Sequence, residues 1–160
     1  MHIWKSKKWE NTPEIINHCR TGLRLKIENS VNPEVRKACK NFAVWLRKEY
    51  EFPIRVPIYI KGSAKIKAFD GEFVVGTFFE PYSYLDEPYV RIATGDYLEL
   101  KCEIGQYDAL ASILYTIAHE LTHYYQWLNH IDRSTAFLER QAEQCARKVL
   151  DDYALTRETP

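Results

Sequence analysis

Between Tyr107 and Asn129 the chain carries two different faces that only a helix can separate. Leu110, Leu114, Ile117, Leu121, Tyr125 and Leu128 recur at helical spacing and form one apolar stripe. Ser112, Thr116, His119 and His123 fall on another side, which is small and polar. This pattern predicts a long helix anchored by one face and open on the other. Within the open face, residues 119–123 read His-Glu-Leu-Thr-His. Histidines four residues apart stand one above the other on a helix. Two imidazoles placed this way can bind one metal ion, and Glu120 beside the first reaches a water on that ion.

A catalytic zinc site keeps three protein ligands and one open position. His119 and His123 supply two of the three. His130 would lie about 10 Å along the axis from His123 if the helix continued that far, too distant to share an ion. The next helical pattern is the better source. Asp132 or Ser134 caps a helix running to about Tyr153, with Phe137, Leu138, Ala142, Cys145, Val149 and Leu150 apolar. The short turn at 129–133 makes it an antiparallel neighbour of the first helix. Glu139 then lies level with His123, and Glu143 level with the middle of the motif, so geometry leaves both open as third ligand. Zinc is the default ion for a His, His, Glu set.

The preceding chain has its own punctuation. Residues 1–30 are weakly patterned, with a short helix expected from Pro13 to about Arg20. Asn32-Pro33 opens a stronger helix with Val35, Ala38, Phe42, Trp45, Leu46 and Tyr50 apolar. Beyond Pro53 the period switches to two. Residues 54–60, 72–79 and 89–94 read as strands, Gly76 as a bulge, and 97–102 as a fourth strand. The expected fold is a single α+β domain over residues 1–160. It has N-terminal helices, a small twisted, mostly antiparallel sheet, then the metal-binding helix and an antiparallel helix with the third ligand.

Lys+Arg and Asp+Glu are both 22, a balance that argues against nucleic acid as a partner. The clusters at Lys5–Lys8 and at Lys61, Lys65 and Lys67 read as solvated surface. Cys19, Cys39, Cys102 and Cys145 include no C-x-x-C pair, so free, mostly buried thiols and a reducing cytosol are expected. The N-terminus lacks a signal-peptide core, and the apolar stretch 109–118 is too short for a membrane span.

H-E-x-x-H with a Glu on the next helix resembles the gluzincin arrangement of the zincin fold. Glu139-Arg140-Gln141-Ala142-Glu143 looks like the E-x-x-A-[D/N] third-ligand motif of HtpX-like and CAAX-prenyl proteases and of the ImmA/IrrE family. That resemblance assigns the metal to His119, His123 and Glu139. Glu143 stands where those families have Asp or Asn, and thermolysin-like spacing would favour Glu143 instead. It implies a zinc metallopeptidase acting on peptide or protein substrates, with Glu120 as general base. A metal-binding regulatory module on the same scaffold is the alternative. A SprT-type protease acting on DNA-bound proteins is a third reading, without a basic excess or zinc ribbon to support it. Tyr124, Tyr153 and Arg147 are candidate oxyanion donors. Trp127 and the Tyr124-Tyr125 pair are candidate pocket walls, and residues 89–94 the candidate edge strand for substrate.

Overall fold

A computed structural model describes residues 2–160. The N-terminal segment is held by two 3-10 turns, Ile3–Lys5 and Lys8–Asn11, and the four-residue helix α1 (Pro13–Ile16). It is not loose chain: Trp4, Trp9 and Ile15 are buried. Trp4 stacks on Tyr125 and its indole N–H donates to Thr122 Oγ1 at 2.9 Å, inside the H-E-x-x-H segment. A short amphipathic piece with few apolar residues reads weakly in sequence, yet three large side chains suffice to clamp it.

Strand β1 (Leu23–Ile27) leads into α2 (Pro33–Glu49) and then β2 (Val56–Lys61). Asn32 caps α2 by accepting from the Glu34 N–H at 2.8 Å, with Pro33 at the first helical position, as its sequence predicts. A hairpin, β3 (Ile66–Lys67) and β4 (Phe73–Val74), precedes β5 (Gly76–Phe79) and β6 (Tyr89–Ala93). Three helices follow: α3 (Tyr97–Ile104), α4 (Gln106–Leu128) and α5 (Thr135–Ala154).

The main sheet has the order β1-β2-β6-β5. Both β1–β2 and β2–β6 are parallel, and only β5–β6 is antiparallel. The expected mostly antiparallel sheet is therefore a mixed one. Between β1 and β2 the long crossover that a parallel neighbour requires is α2; between β2 and β6 it is residues 62–88, which carry the hairpin and β5. Strand β1, unread in the sequence, exists because α2 returns the chain beside it. The Arg47 guanidinium ties the two by donating to the Leu23 carbonyl at 3.0 Å.

Val56, Ile58, Ile60, Val90 and Ile92 are fully buried against the helical layer of α2 and α4, while alternate residues point outward. The bulge expected at Gly76 is instead a change of partner. Phe73 and Val74 pair with β3, and from Gly76 onward the chain pairs with β6.

Residues 97–102, read as a strand from alternating Leu98 and Leu100, form α3. The same letters also fit a helix. Tyr97 and Lys101, one turn apart, both reach the Glu34 carboxylate on α2, and Leu98 stays largely exposed. Helix α4 follows the prediction closely. Leu110, Leu114, Ile117, Leu121, Tyr125 and Leu128 are all buried, and His119 and His123 lie on the less buried side. Among the described residues no helix is long and apolar enough to cross a membrane. The four cysteines are unpaired; Cys39 and Cys145 are buried, Cys19 and Cys102 exposed.

Candidate metal centre

Helices α4 and α5 are joined by a turn at 129–134 in which His130 takes a positive φ of 54°. Ser134 caps α5, its hydroxyl accepting from the Phe137 N–H at 3.2 Å. The tight reversal sets α5 antiparallel to α4 and brings Glu139 over the two histidines. Glu139 Oε2 lies 3.1 Å from His119 Nε2, and Oε1 lies 3.1 Å from His123 Nε2. One ligand atom from each residue lies within 4.8 Å of the others. Donors on a tetrahedral zinc with bonds near 2.0–2.2 Å stand about 3.3–3.6 Å apart, so this spacing fits one ion. His119, His123 and Glu139 are thus three side chains that could hold a metal ion.

Glu143 is placed differently. It lies one turn further along α5, where its charge falls beside Tyr115 and contributes only weakly at His119. The converging triad contains Glu139 and not Glu143. His130 faces away: its ring nitrogens meet Tyr84 Oη at 2.8 Å and Thr12 Oγ1 at 2.9 Å.

The geometry adds a residue that the sequence reading missed. Gln126, one turn after His123, spends its amide N–H groups on the Leu138 carbonyl at 3.0 Å and on Gln141 Oε1 at 2.9 Å. Its carbonyl oxygen is left to accept from His123 Nδ1–H at 2.8 Å. That bond occupies Nδ1 and leaves Nε2 as the nitrogen that faces Glu139, where its lone pair would be offered to a cation held between them. The i+3 spacing from His123 was the signal that could have found it. Burial, and then the neighbouring His123, hold the His119 pKa below its ordinary value, which favours the neutral ring a metal needs.

Glu120 is the buried acid of the site. It is 8% exposed, and burial followed by the Glu139 charge pushes its pKa up to about 8. Positive charge at the triad acts in the opposite direction. The consequence for the metal-free protein has a definite sign. The unfolded carboxyl ionises near 4.5, so the native state binds the extra proton between roughly pH 4.5 and 8 and loses stability as pH rises through that window. Metal-free Glu120→Gln is therefore expected to match the parent near pH 4.5 and exceed it by on the order of 4 kcal/mol at pH 8.5. Urea unfolding in chelator at the two pH values checks this; equal stability at pH 8.5 contradicts it.

Strand β5 forms the opposite wall. A Cβ on Gly76 would stand 2.6 Å from Thr116 Cγ2 and 3.2 Å from Glu120 Oε1. Only glycine lets the strand lie this close to α4. Gly76→Ala is expected to destabilise the protein by about 1–3 kcal/mol, read as a lower urea midpoint. An unchanged midpoint would mean that β5 and α4 are not packed this tightly.

The groove between β5 and the helices has a volume of about 450 Å³ and reaches from Val74 past Phe78 and Trp127 to Leu138. Trp127 is a wall as expected, with its indole N–H donating to the Pro81 carbonyl at 3.1 Å. The Tyr124-Tyr125 pair lies in the core and lines no part of this groove. Three expected oxyanion donors are elsewhere too. Tyr124 is fully buried and its hydroxyl donates to the Ile54 carbonyl at 2.6 Å. Tyr153 packs against Phe42 and Trp45, and Arg147 lines a separate cavity with Tyr115. The expected edge strand is also corrected. Residues 89–93 lie between β2 and β5, and the strand with a free edge beside the groove is β5. The chain matches no protein-family model, no curated protein and no solved structure in comparisons against all three.

Proposed function

We propose that the protein is a zinc-dependent metallopeptidase of gluzincin type. The observation that carries this reading is the convergence of His119, His123 and Glu139 on one groove, with the Glu120 carboxyl in the same wall. Zinc held by the three side chains would supply a Lewis acid that polarises the scissile carbonyl and acidifies a water. The remaining work belongs to this chain. Glu120 takes the proton of the attacking water and delivers it to the leaving amine. Gln126 keeps His123 in the tautomer that presents Nε2. Burial of Glu120 under β5 withdraws its carboxylate from bulk water, which strengthens its action on a nearby proton.

Substrate adds as a strand to the free edge of β5, where backbone hydrogen bonds give affinity and side chains fall into pockets along Trp127 and Phe78. A groove that selects through one edge strand and a few side-chain pockets favours few substrates. The test is a peptide library and a cell extract incubated with zinc-loaded protein, with chelated protein and with Glu120→Gln. Cleavage confined to the zinc-loaded parent supports the reading. Zinc binding without any such cleavage transfers the site to the alternative, a metal-binding regulatory module.

A further inference from the structure

The outward face of the main sheet, turned away from α2 and α4, carries a second set of chemistry. Arg24 and Lys26 on β1, Lys61 on β2 and Arg91 on β6 all emerge there, by alternation with the buried residues of the same strands. Lys67 joins them from the hairpin, where Arg91 donates to its carbonyl, and exposed Lys65 lies two residues before it in the chain. Among the described residues none of these six cations takes part in an ion pair. Aromatic rings are the partners some of them have instead. Lys26 Nζ and Lys61 Nζ stand 5.5 and 5.6 Å from the centre of the Tyr59 ring, and the Arg91 guanidinium 5.7 Å from that of Phe69. Arg91 also donates to the Lys67 carbonyl at 3.1 Å, but its Nε is buried without a partner.

Between the cations runs a continuous row of rings. Tyr59 meets Tyr89 edge-on at 5.8 Å, Tyr89 stacks on Phe79 at 4.9 Å and 18°, and Phe69 lies 5.5 Å from Phe79. The row crosses β2, β6 and β5 and ends at the hairpin. Acids also stand in the adjoining turns, exposed Glu72 of the hairpin among them. Glu28 accepts from the Gly62 N–H at 3.0 Å, Asp70 accepts from the Glu72 N–H at the hairpin turn, and Glu80 lines the groove of the metal centre.

We propose that this face binds single-stranded nucleic acid, with bases on the Tyr59–Tyr89–Phe79 row and phosphates on Lys26, Lys61 and Arg24. Exposed cation–π contacts are worth only about 0.5–1 kcal/mol, so phosphates readily draw the two lysines off the Tyr59 ring. Rings set in a sheet, with cations on flexible stems around them, suit stacked bases and a tracked backbone. An acidic peptide brings charge without a succession of stacking rings. A membrane surface calls for apolar side chains that protrude; Phe69 and Phe73 do so at the hairpin tip, whereas Tyr59, Tyr89 and Phe79, where the cations gather, are half-buried, and vesicles are therefore an arm of the test. The zero net charge is an average over the whole chain, and these six cations concentrate the positive potential on one side. The face lies across the sheet from α4, so the proposal stands apart from peptide hydrolysis.

Fluorescence anisotropy with labelled oligo-dT and oligo-U of about 15 nucleotides tests it, in 50 to 200 mM salt. Saturable binding is expected. Tyr59→Ala should weaken it at least about fivefold, and Tyr59→Phe should restore it. Lys26→Ala with Lys61→Ala, both at exposed ends of side chains, should reduce the salt slope by about 1.4. Thermal unfolding identifies any variant that has lost its fold, and the lysine pair then decides alone. Three results overturn the proposal: no saturable binding of either oligonucleotide, equal binding of polyglutamate, or binding of phosphatidylserine vesicles in preference to both oligonucleotides.

Discussion

Replacing Glu120 with Gln is expected to leave zinc binding intact and to slow peptide hydrolysis by about a thousandfold. Gln matches the carboxylate in size, so the wall beneath Gly76 keeps its shape. The amide has no lone pair basic enough to accept a proton, and the leaving amine then receives none. Glu120 is absent from the converging triad, so the ligand set is untouched. Loss confined to kcat, with KM nearly unchanged, is the signature of an interaction made in the transition state alone. The experiment measures kcat and KM on a cleaved library peptide beside metal content by elemental analysis. Turnover at the parent rate removes Glu120 from the mechanism. Zinc lost together with activity makes Glu120 a ligand, in contradiction of the geometry.

The second large effect falls on metal affinity. His123→Ala removes one of three donors and is expected to weaken zinc binding by well over a hundredfold, because even changes behind a ligand cost 10- to 100-fold. Gln126→Leu, which strips the partner from His123 Nδ1, should fall within that smaller range. Glu139→Gln is expected to approach His123→Ala, and Glu143→Gln to bind as the parent does. Competition titration against a chelating dye measures all four. Zinc also stabilises the folded state by mass action, so the same order should appear in the zinc-induced rise in unfolding temperature. Loss in Glu143→Gln with retention in Glu139→Gln would reverse the choice of third ligand.

What the sequence made legible was whatever one segment encodes alone. The two faces of α4 are written in its period, and Asn32-Pro33 and Ser134 mark their helix starts by chemistry that acts within a few residues. His119, His123 and Glu120 followed from spacing on one helix. Glu139 needed a second helix and a short turn; both could be read, but they left Glu143 equally open, and only the resemblance to the E-x-x-A motif favoured Glu139, the residue that converges on the histidines.

The misses share another cause: each depends on a partner distant in sequence. Strand β1 is a short basic-apolar alternation whose identity comes from parallel pairing with β2 across the whole of α2. Residues 97–104 satisfy both periods, and Glu34 on α2 decides for the helix. The edge strand was misplaced because strand order is a property of the sheet. The run 72–79 changes partner within itself, and only its second half walls the site. Gln126 acts through Leu138 and Gln141 on the neighbouring helix. The supposed oxyanion donors failed because an aromatic hydroxyl on a helix finds a backbone acceptor in the core as readily as a cleft, as Tyr124 does with Ile54.

The account rests on one ion held by these three side chains, and anomalous X-ray diffraction at the zinc edge from crystals of the zinc-loaded protein tests it most directly. The predicted result is a single strong peak about 2.0–2.2 Å from Nε2 of His119, Nε2 of His123 and a carboxylate oxygen of Glu139, with Glu143 remote from it. A peak ligated by Glu143, or no zinc between His119 and His123 in protein that contains one equivalent, would contradict it.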